Sequence, residues 1–276
     1  MSGMLYLVPT PIGNLGDISQ RCRDTLEAAD FIAAEDTRVS LKLLNHLEIR
    51  KPLVSYYEHN RAESGPKILE RILTGETCAL VSDAGSPAIS DPGEDLVALC
   101  AQNGVTVSAI PGPCAVITAL SISGLSTGRF TFEGFLSTNK KSRQDHLKAL
   151  AGEQRTMIFY EAPHKLLNTL QDLQAAFGSE RRISLCRELT KLHEEVIRTT
   201  LGGALDYYAE LAPRGEYVLV LEGAAPVEEE EITMEAALAM VQEKIDAGLS
   251  RKDAVKQIAK ETGISKNTLY EASLQL

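Results

Sequence analysis

Short apolar runs rich in Val, Ile, Leu and Ala alternate along the first half of the chain with stretches whose apolar positions recur every three or four residues. The first pattern is that of strands buried on both faces, the second that of helices. Strands are expected at 5–8, 31–34, 53–56, 78–82 and 105–110. Helices are expected at 19–29, with Ser19 as N-cap, and at 39–47, 64–73, 94–102 and from Pro113 to about residue 122. Each strand is followed by a helix, which predicts a mostly parallel sheet covered on both faces. After Gly128 strands are expected at 129–132, 156–160, 183–187, 196–200 and 217–221, with helices at 140–150, 164–177 and 204–211. Less helix separates these strands, so a mixed sheet is expected. The last stretch reads as helices at 234–247 and 252–262 and a third starting at Ser265. The expected fold class is α/β: two α/β domains, 1–123 and 124–225, and a small C-terminal helical domain, 232–276. The four glutamates at 228–231 repel one another and read as a solvated linker.

Composition narrows the class. The 276 residues are 44% hydrophobic and 24% charged, the balance of a soluble globular protein. The net charge of −10 argues against a positively coated surface that holds nucleic acid non-specifically, though not against local basic patches. The acidic excess is uneven: residues 1–125 carry 9 basic and 15 acidic side chains, residues 126–225 carry 13 of each. There is no Trp and aromatics are 5%, which disfavours wide stacking platforms for single-stranded bases. The five cysteines are scattered with no CxxC, as expected of core residues in a reducing compartment without a metal. The start lacks the basic and apolar regions of a signal peptide. The uncharged run 96–128 is broken by Gly and Pro and is not a membrane span, although its apolar surface suggests a symmetric homodimer. A cytoplasmic location with no membrane contact is expected.

Three turns leave expected strand ends on the same side of the first sheet: Pro9 to Asp17, Ser82 to Gly93 and Pro111 to Ala115. In an open parallel sheet, ligands bind outside the carboxyl ends of the strands. Glycine lets backbone approach a ligand, and proline fixes the loop. A single turn of this kind is ordinary βα geometry; three from one sheet point to a binding site. None is a Walker-type phosphate loop or a GxGxxG turn, and cations are scarce in them. The carboxylates Asp83 and Asp91 suit hydroxyls, amines or positive charge, which S-adenosylmethionine offers in its ribose, ammonium and sulfonium.

The blocks TPIGNLGD (10–17), AEDTR (34–38), SDAGSPAISDPG (82–93), IPGP (110–113), FYEAPH (159–164), RELTKLHEE (187–195) and GEYVLVLEG (215–223) together resemble the tetrapyrrole methylase superfamily. The likeness is strongest to its branch that acts on 16S ribosomal RNA. It departs from that pattern at Cys114, Ser137 and Lys165. The resemblance implies a cofactor cleft between two α/β domains, a homodimer, and 2′-O-methylation of a cytidine ribose in the decoding region of 16S rRNA within the small ribosomal subunit. The cofactor residues it implies are Pro9, Asp83, Ala84, Gly85, Ser86, Ile89, Ser90, Pro113, Cys114, Ala115, Tyr160 and Tyr217.

Four groups are candidates for proton transfer: Asp36, Glu161, His164 and Glu188. Each has a plainer reading, Asp36 as a helix-start acid and Glu188 as part of a salt-bridge network around Arg187 and Lys191. Lys140, Lys141, Arg143 and Lys148 form the densest basic cluster in the chain. With Arg38, Arg187 and Lys191 they are the candidate RNA contacts, the alternative being a solvated helix face. Residues 253–270 resemble a helix-turn-helix, with Gly263 in the turn and Ser265 capping the next helix. Competing functions are a same-fold methyltransferase acting on a tetrapyrrole or a protein side chain, and a non-enzymatic RNA-binding assembly factor.

Overall fold

The computed structural model describes residues 3–226 and 232–274. Residues to Ala224 form one compact unit and those from Ala225 a second. The first unit opens with β1 (Met4–Leu7), α1 (Gln20–Ala28), β2 (Phe31–Ala34), α2 (Thr37–His46), β3 (Leu53–Ser55), α3 (Arg61–Leu73), β4 (Cys78–Val81), α4 (Glu94–Gln102), β5 (Thr106–Ala109) and α5 (Ala115–Ile122). The five strands pair in parallel in the order β3-β2-β4-β1-β5. The strands read as unbroken apolar runs, β2 and β4, are interior and buried at every residue. One face packs Leu5, Phe31 and Leu80 against Ile68, Ile72 and Leu96 of α3 and α4. The other packs Ile32, Ala79 and Val81 against Leu26 and Leu44 of α1 and α2.

The second sheet is mixed. It comprises β6 (Phe130–Phe135), β7 (Thr156–Glu161), β8 (Arg182–Arg187), β9 (Glu195–Thr200) and β10 (Tyr217–Leu221), in the order β6-β7-β10-β8-β9. Only β6 and β7 run parallel; β10 lies antiparallel between β7 and β8. The helices α6 (Lys140–Ala149), α7 (Leu166–Phe177) and α8 (Leu201–Tyr207) belong to this half of the unit. Residues of all three pack with Met157, Phe159, Leu185 and Leu219 on one face. The opposite face is covered by a helix that follows the first sheet: Val116, Ala119 and Leu120 of α5 cluster with Ile158, Cys186, Val218 and Val220.

Two helices start three residues before their expected bounds. Pro66 favours a first turn near residue 64, yet α3 begins at Arg61 and carries Pro66 inside it. Asn60 secures that start, accepting from the Tyr57 amide at 2.8 Å and donating to the Ser55 carbonyl at 3.0 Å. In α8, the glycines 202 and 203 read as helix breakers. Instead Thr200 caps the helix by accepting from the Gly203 amide at 3.2 Å, and a Cβ on Gly202 would lie 2.2 Å from the Ser179 hydroxyl. Glycine is present there for close packing.

In the second unit, α9 (Met234–Asp246), α10 (Arg251–Thr262) and α11 (Lys266–Ser273) enclose their own core of Ala237, Val241, Val255, Ile258 and Leu269. Gly263 ends α10 in the left-handed conformation, φ +71°. Ser265 occupies the N-cap position of α11, but its side chain makes no capping hydrogen bond. The 228–231 linker lies outside the described residues. Among those described, no helix is long and apolar enough to cross a membrane.

The dependence of the first unit on α5 is testable. Ala119 is fully buried, with the Cys186 thiol 3.8 Å from its carbonyl oxygen. Ala119→Leu should destabilise by about 1–3 kcal/mol through overpacking. The exposed Ile117→Leu on the same helix should stay within about 0.5 kcal/mol of the parent. Urea unfolding of the two variants against the parent measures both.

Candidate active site

Because β4, β1 and β5 are neighbours in the first sheet, the three loops that follow them emerge side by side. They are bonded to one another. The Thr10 amide donates to the Gly85 carbonyl at 2.9 Å and the Gly85 amide returns a bond to Thr10 at 3.0 Å. The Thr10 hydroxyl donates to the Ser82 carbonyl at 3.1 Å, and the Ser86 hydroxyl to the Pro113 carbonyl at 3.0 Å. Gly85 sits at φ +86°, and a Cβ there would lie 3.2 Å from Cγ2 of Ile12. Ala88 and Ser90 also take positive φ, 66° and 67°, which non-glycine residues seldom do and which concentrates at functional sites.

These loops and the second sheet enclose a cavity of about 470 Å³. Ala84, Gly85, Ser86, Ile89, Ser90, Cys114, Ala115, Tyr160 and Tyr217 line it, nine of the twelve residues expected to hold a ligand. Pro9, Asp83 and Pro113 do not. Pro9 packs behind Gly112, where a Cβ would lie 2.4 Å from its Cγ, and Pro113 supports the wall through its carbonyl. Cys114 takes the N-cap position of α5 without a side-chain capping bond.

Of the four proton-transfer candidates, Glu161 and His164 line the cavity and Asp36 and Glu188 do not. Glu161 is 4% exposed. Its oxygens accept from the Ala162 amide at 2.9 Å and from the Thr169 hydroxyl in a short contact. His164 is exposed on the 3₁₀ turn Pro163–Lys165, and no hydrogen bond to its ring is formed among the described residues. Asp36 caps α2 and pairs with Arg38 at 2.6 Å, hydrogen bonds that lower its pKa to about 2. Glu188 accepts from Lys191 at 2.9 Å, and this bond lowers its pKa.

The basic candidates divide in the same way. Lys191 reaches the cavity wall while bonded to Glu188 and, at 2.7 Å, to Glu216. Arg187 pairs with Glu195 at 3.0 Å, so the block 187–195 is in part a salt-bridge network. Lys140, Lys141 and Lys148 are exposed on α6. Arg143 is not part of that face. Its side chain is 14% exposed and reaches Asp172 at 2.5 Å and the Thr169 hydroxyl at 2.8 Å.

Several lining residues were not anticipated. Cys186 and Val218 pair across the sheet with each other and, through Val218, with Tyr160, so all three share the cavity face. Periodicity shows that such residues alternate, but not which strands will be neighbours. Ile12, Leu189 and Glu216 belong to loops beside these strands. Phe135 reaches the cavity through an irregularity in β6. Among the described residues, no three His, Cys, Asp or Glu side chains gather as a metal site.

The family described as Tetrapyrrole (Corrin/Porphyrin) Methylases matches residues 4–205. The chain belongs to this family. Its tetrapyrrole methylase unit is continuous with near full-length similarity to ribosomal RNA small subunit methyltransferases I. That of Synechocystis sp. is 49% identical over 274 residues, 99% of this chain and 98% of the relative. That of Halalkalibacterium halodurans is 46% identical over 271 residues, 97% of this chain and 93% of the relative. The tetrapyrrole methylase fold is shared with the uroporphyrin-III C-methyl transferase of Thermus thermophilus, solved as a complex with S-adenyl homocysteine. The TM-score is 0.57 at 16% identity, over 80% of this chain and 97% of that one.

Beside the cavity, carboxylates crowd at the ends of β2 and β4. Burial, then the charges of Asp91 and Asp83, raise the pKa of Glu35. Burial, then Asp83, raises Asp91, and burial followed by Asp36 raises Asp83. A carboxyl whose pKa is raised by folding holds its proton more tightly in the native state, so its ionisation subtracts from stability as pH rises. Glu35→Gln should therefore raise the melting temperature at pH 7.5. The gain should vanish below the ordinary value of 4.5, where the parent carboxyl is already neutral. Calorimetric scans of both proteins across pH 3.5–8 provide the check.

Proposed function

We propose that the chain transfers a methyl group from S-adenosylmethionine to the 2′-oxygen of a cytidine ribose in the decoding region of 16S rRNA, on the small ribosomal subunit. The observation that carries this reading is the near full-length similarity to ribosomal RNA small subunit methyltransferases I. The site is compatible with the cofactor. A cavity of about 470 Å³ falls in the range of about 300–1,000 Å³ usual for small-molecule sites. Gly85 brings bare backbone to the cavity wall at a positive φ that a side chain would strain, and Asp83 and Asp91 supply negative charge beside it. When bound, S-adenosylmethionine supplies a methyl group on a sulfonium, which needs no metal to leave.

What remains for the protein is alignment and proton removal. The joined loops after β4, β1 and β5 hold one side of the cavity rigid. Tyr160, whose pKa burial raises, keeps its hydroxyl proton and presents a donor at the wall. His164 accepts the proton of the 2′-hydroxyl, because an imidazole nitrogen can act as a general base and this ring is unengaged at the cavity edge. Asp36 is too acidic for the task, and Glu188 is neutralised by Lys191. Buried Glu161 orients the turn that carries His164, through its bond to the Ala162 amide.

RNA outside the cavity meets Lys140, Lys141 and Lys148 on α6, and in the second unit Lys252, Lys256, Lys260 and Lys266, all exposed. The active form is a cytoplasmic homodimer, for which light scattering should give about twice the 30.0 kDa chain mass.

The decisive assay offers labelled S-adenosylmethionine with naked 16S rRNA, small subunits or whole ribosomes from cells lacking the protein. Label should appear on a cytidine 2′-oxygen. Label on a tetrapyrrole or a protein side chain instead would move the chain to another branch of the fold, and no transfer with retained RNA binding would make it an assembly factor. Gly85→Val should abolish cofactor binding in calorimetry with chelator present. His164→Ala should lower kcat by about 10²–10⁴-fold and leave cofactor affinity unchanged.

A further inference from the structure

The pairing of β6 with β7 slips by one residue. Phe132 is opposite Ile158, Gly134 is opposite Phe159 and Phe135 is opposite Tyr160, which leaves Glu133 as the extra residue of a bulge. In a regular strand, residues three apart point to opposite faces. The bulge cancels that alternation, so Phe132 and Phe135 both lie on the face of Tyr160. Their ring centroids are 5.0 and 5.5 Å from the Tyr160 ring. Two features hold the slip in place. Gly134 takes φ +64°, where it meets no neighbour, and the Glu133 carboxylate pairs with Nε2 of His146 at 2.9 Å.

The result costs apolar burial. Phe135 is 59% exposed at the wall of the cavity, whereas an unslipped strand would turn it toward the face packed by α6 and α7. Bulges beside active sites re-aim side chains in this way. The chain has six Phe and no Trp, so a ring brought to the cavity edge at this expense is a scarce resource.

We propose that the exposed face of Phe135 stacks the base of the target nucleotide while its ribose enters the cavity. The proposal rests on the reading that the substrate is RNA. A 2′-oxygen becomes reachable when its nucleotide leaves the helical stack, and the base then needs a new partner. Aromatic rings are the usual partner of unstacked bases in RNA. With Tyr160 behind it, the Phe135 ring is held at an angle to a second aromatic wall. It accepts any base by its π-face, so it positions the nucleotide without choosing cytosine over other bases.

Phe135→Ala should raise KM for the small subunit by about 5- to 150-fold, the loss of one base stack, with kcat at saturating RNA within about threefold of the parent. Cofactor affinity, dimer mass and melting temperature should be unchanged, and Phe135→Tyr should restore KM. Phe135→Trp adds the single tryptophan of the chain. Its fluorescence should be quenched by an RNA hairpin containing the target cytidine, and less by the same hairpin made abasic there. Unchanged KM in Phe135→Ala, while the parent methylates RNA, would overturn the proposal and leave the function standing. So would an equal loss of cofactor affinity, which would put the ring on the cofactor, or a loss of dimer mass. Failure of the parent to methylate RNA would remove the underlying reading and this proposal with it.

Discussion

The packing of α5 on the second sheet is the contact on which the rest of the first unit depends. In a doubly wound sheet a helix ordinarily covers the sheet whose strand it follows. Here Val116, Ala119 and Leu120 are buried against Ile158, Cys186, Val218 and Val220. The turn from β5 into α5 is therefore anchored in both halves at once. Pro113 receives the Ser86 hydroxyl from the first, and Cys114 and Ala115 open onto a cavity whose far wall is β7 and β10. The enclosure exists because one helix ties two sheets together at their loop-bearing edges.

Charge is distributed around that enclosure with little compensation on one side and much on the other. Burial raises Glu35, Asp83 and Asp91, and neighbouring carboxylates add to it: Asp91 and Asp83 on Glu35, Asp83 on Asp91, Asp36 on Asp83. Across the cavity, Lys191 is held between Glu188 and Glu216. Among the described residues, four of the five non-glycine residues with positive φ fall in the loops after β4 and β8: Ala88, Ser90, Glu188 and Thr190. Strained backbone at a site persists when the surrounding bonds over-determine it, and the Thr10–Gly85 pair and the Lys191 bonds do so here.

Much of this was legible in the chain. β2 and β10 fall on the residues that hydrophobic runs indicate, because burial on both faces leaves no polar position to blur the pattern, and α4 on those indicated by the helical spacing of buried Leu96 and Cys100. The three glycine- and proline-rich turns announced the cavity, since loop chemistry is local. What escaped was set by partners distant in sequence. Arg143 reads as part of a basic cluster until Asp172 and Thr169, on a different helix, turn it inward. Phe135 reads as the end of a strand, and only its pairing with Tyr160 reveals the slip that aims it. Asp36, which reads equally as cap or catalyst, caps α2 by accepting from the Arg38 amide and also pairs with the Arg38 guanidinium, a partner its sequence position does not announce.

The position of β10 governs how the protein must come into being. It is the last strand of the chain, yet it lies in the middle of the second sheet, with β7 on one side and β8 on the other. Until Tyr217–Leu221 is available, those two strands share no partner, and the cavity lacks the wall supplied by Tyr217 and Val218. During synthesis the first sheet can close behind the growing chain, since all five of its strands precede residue 110. The second sheet cannot, because its central strand is the last to be made. A nascent chain therefore carries a half-built sheet with open edges until some 220 residues have left the ribosome, the interval in which it is most exposed to mispairing.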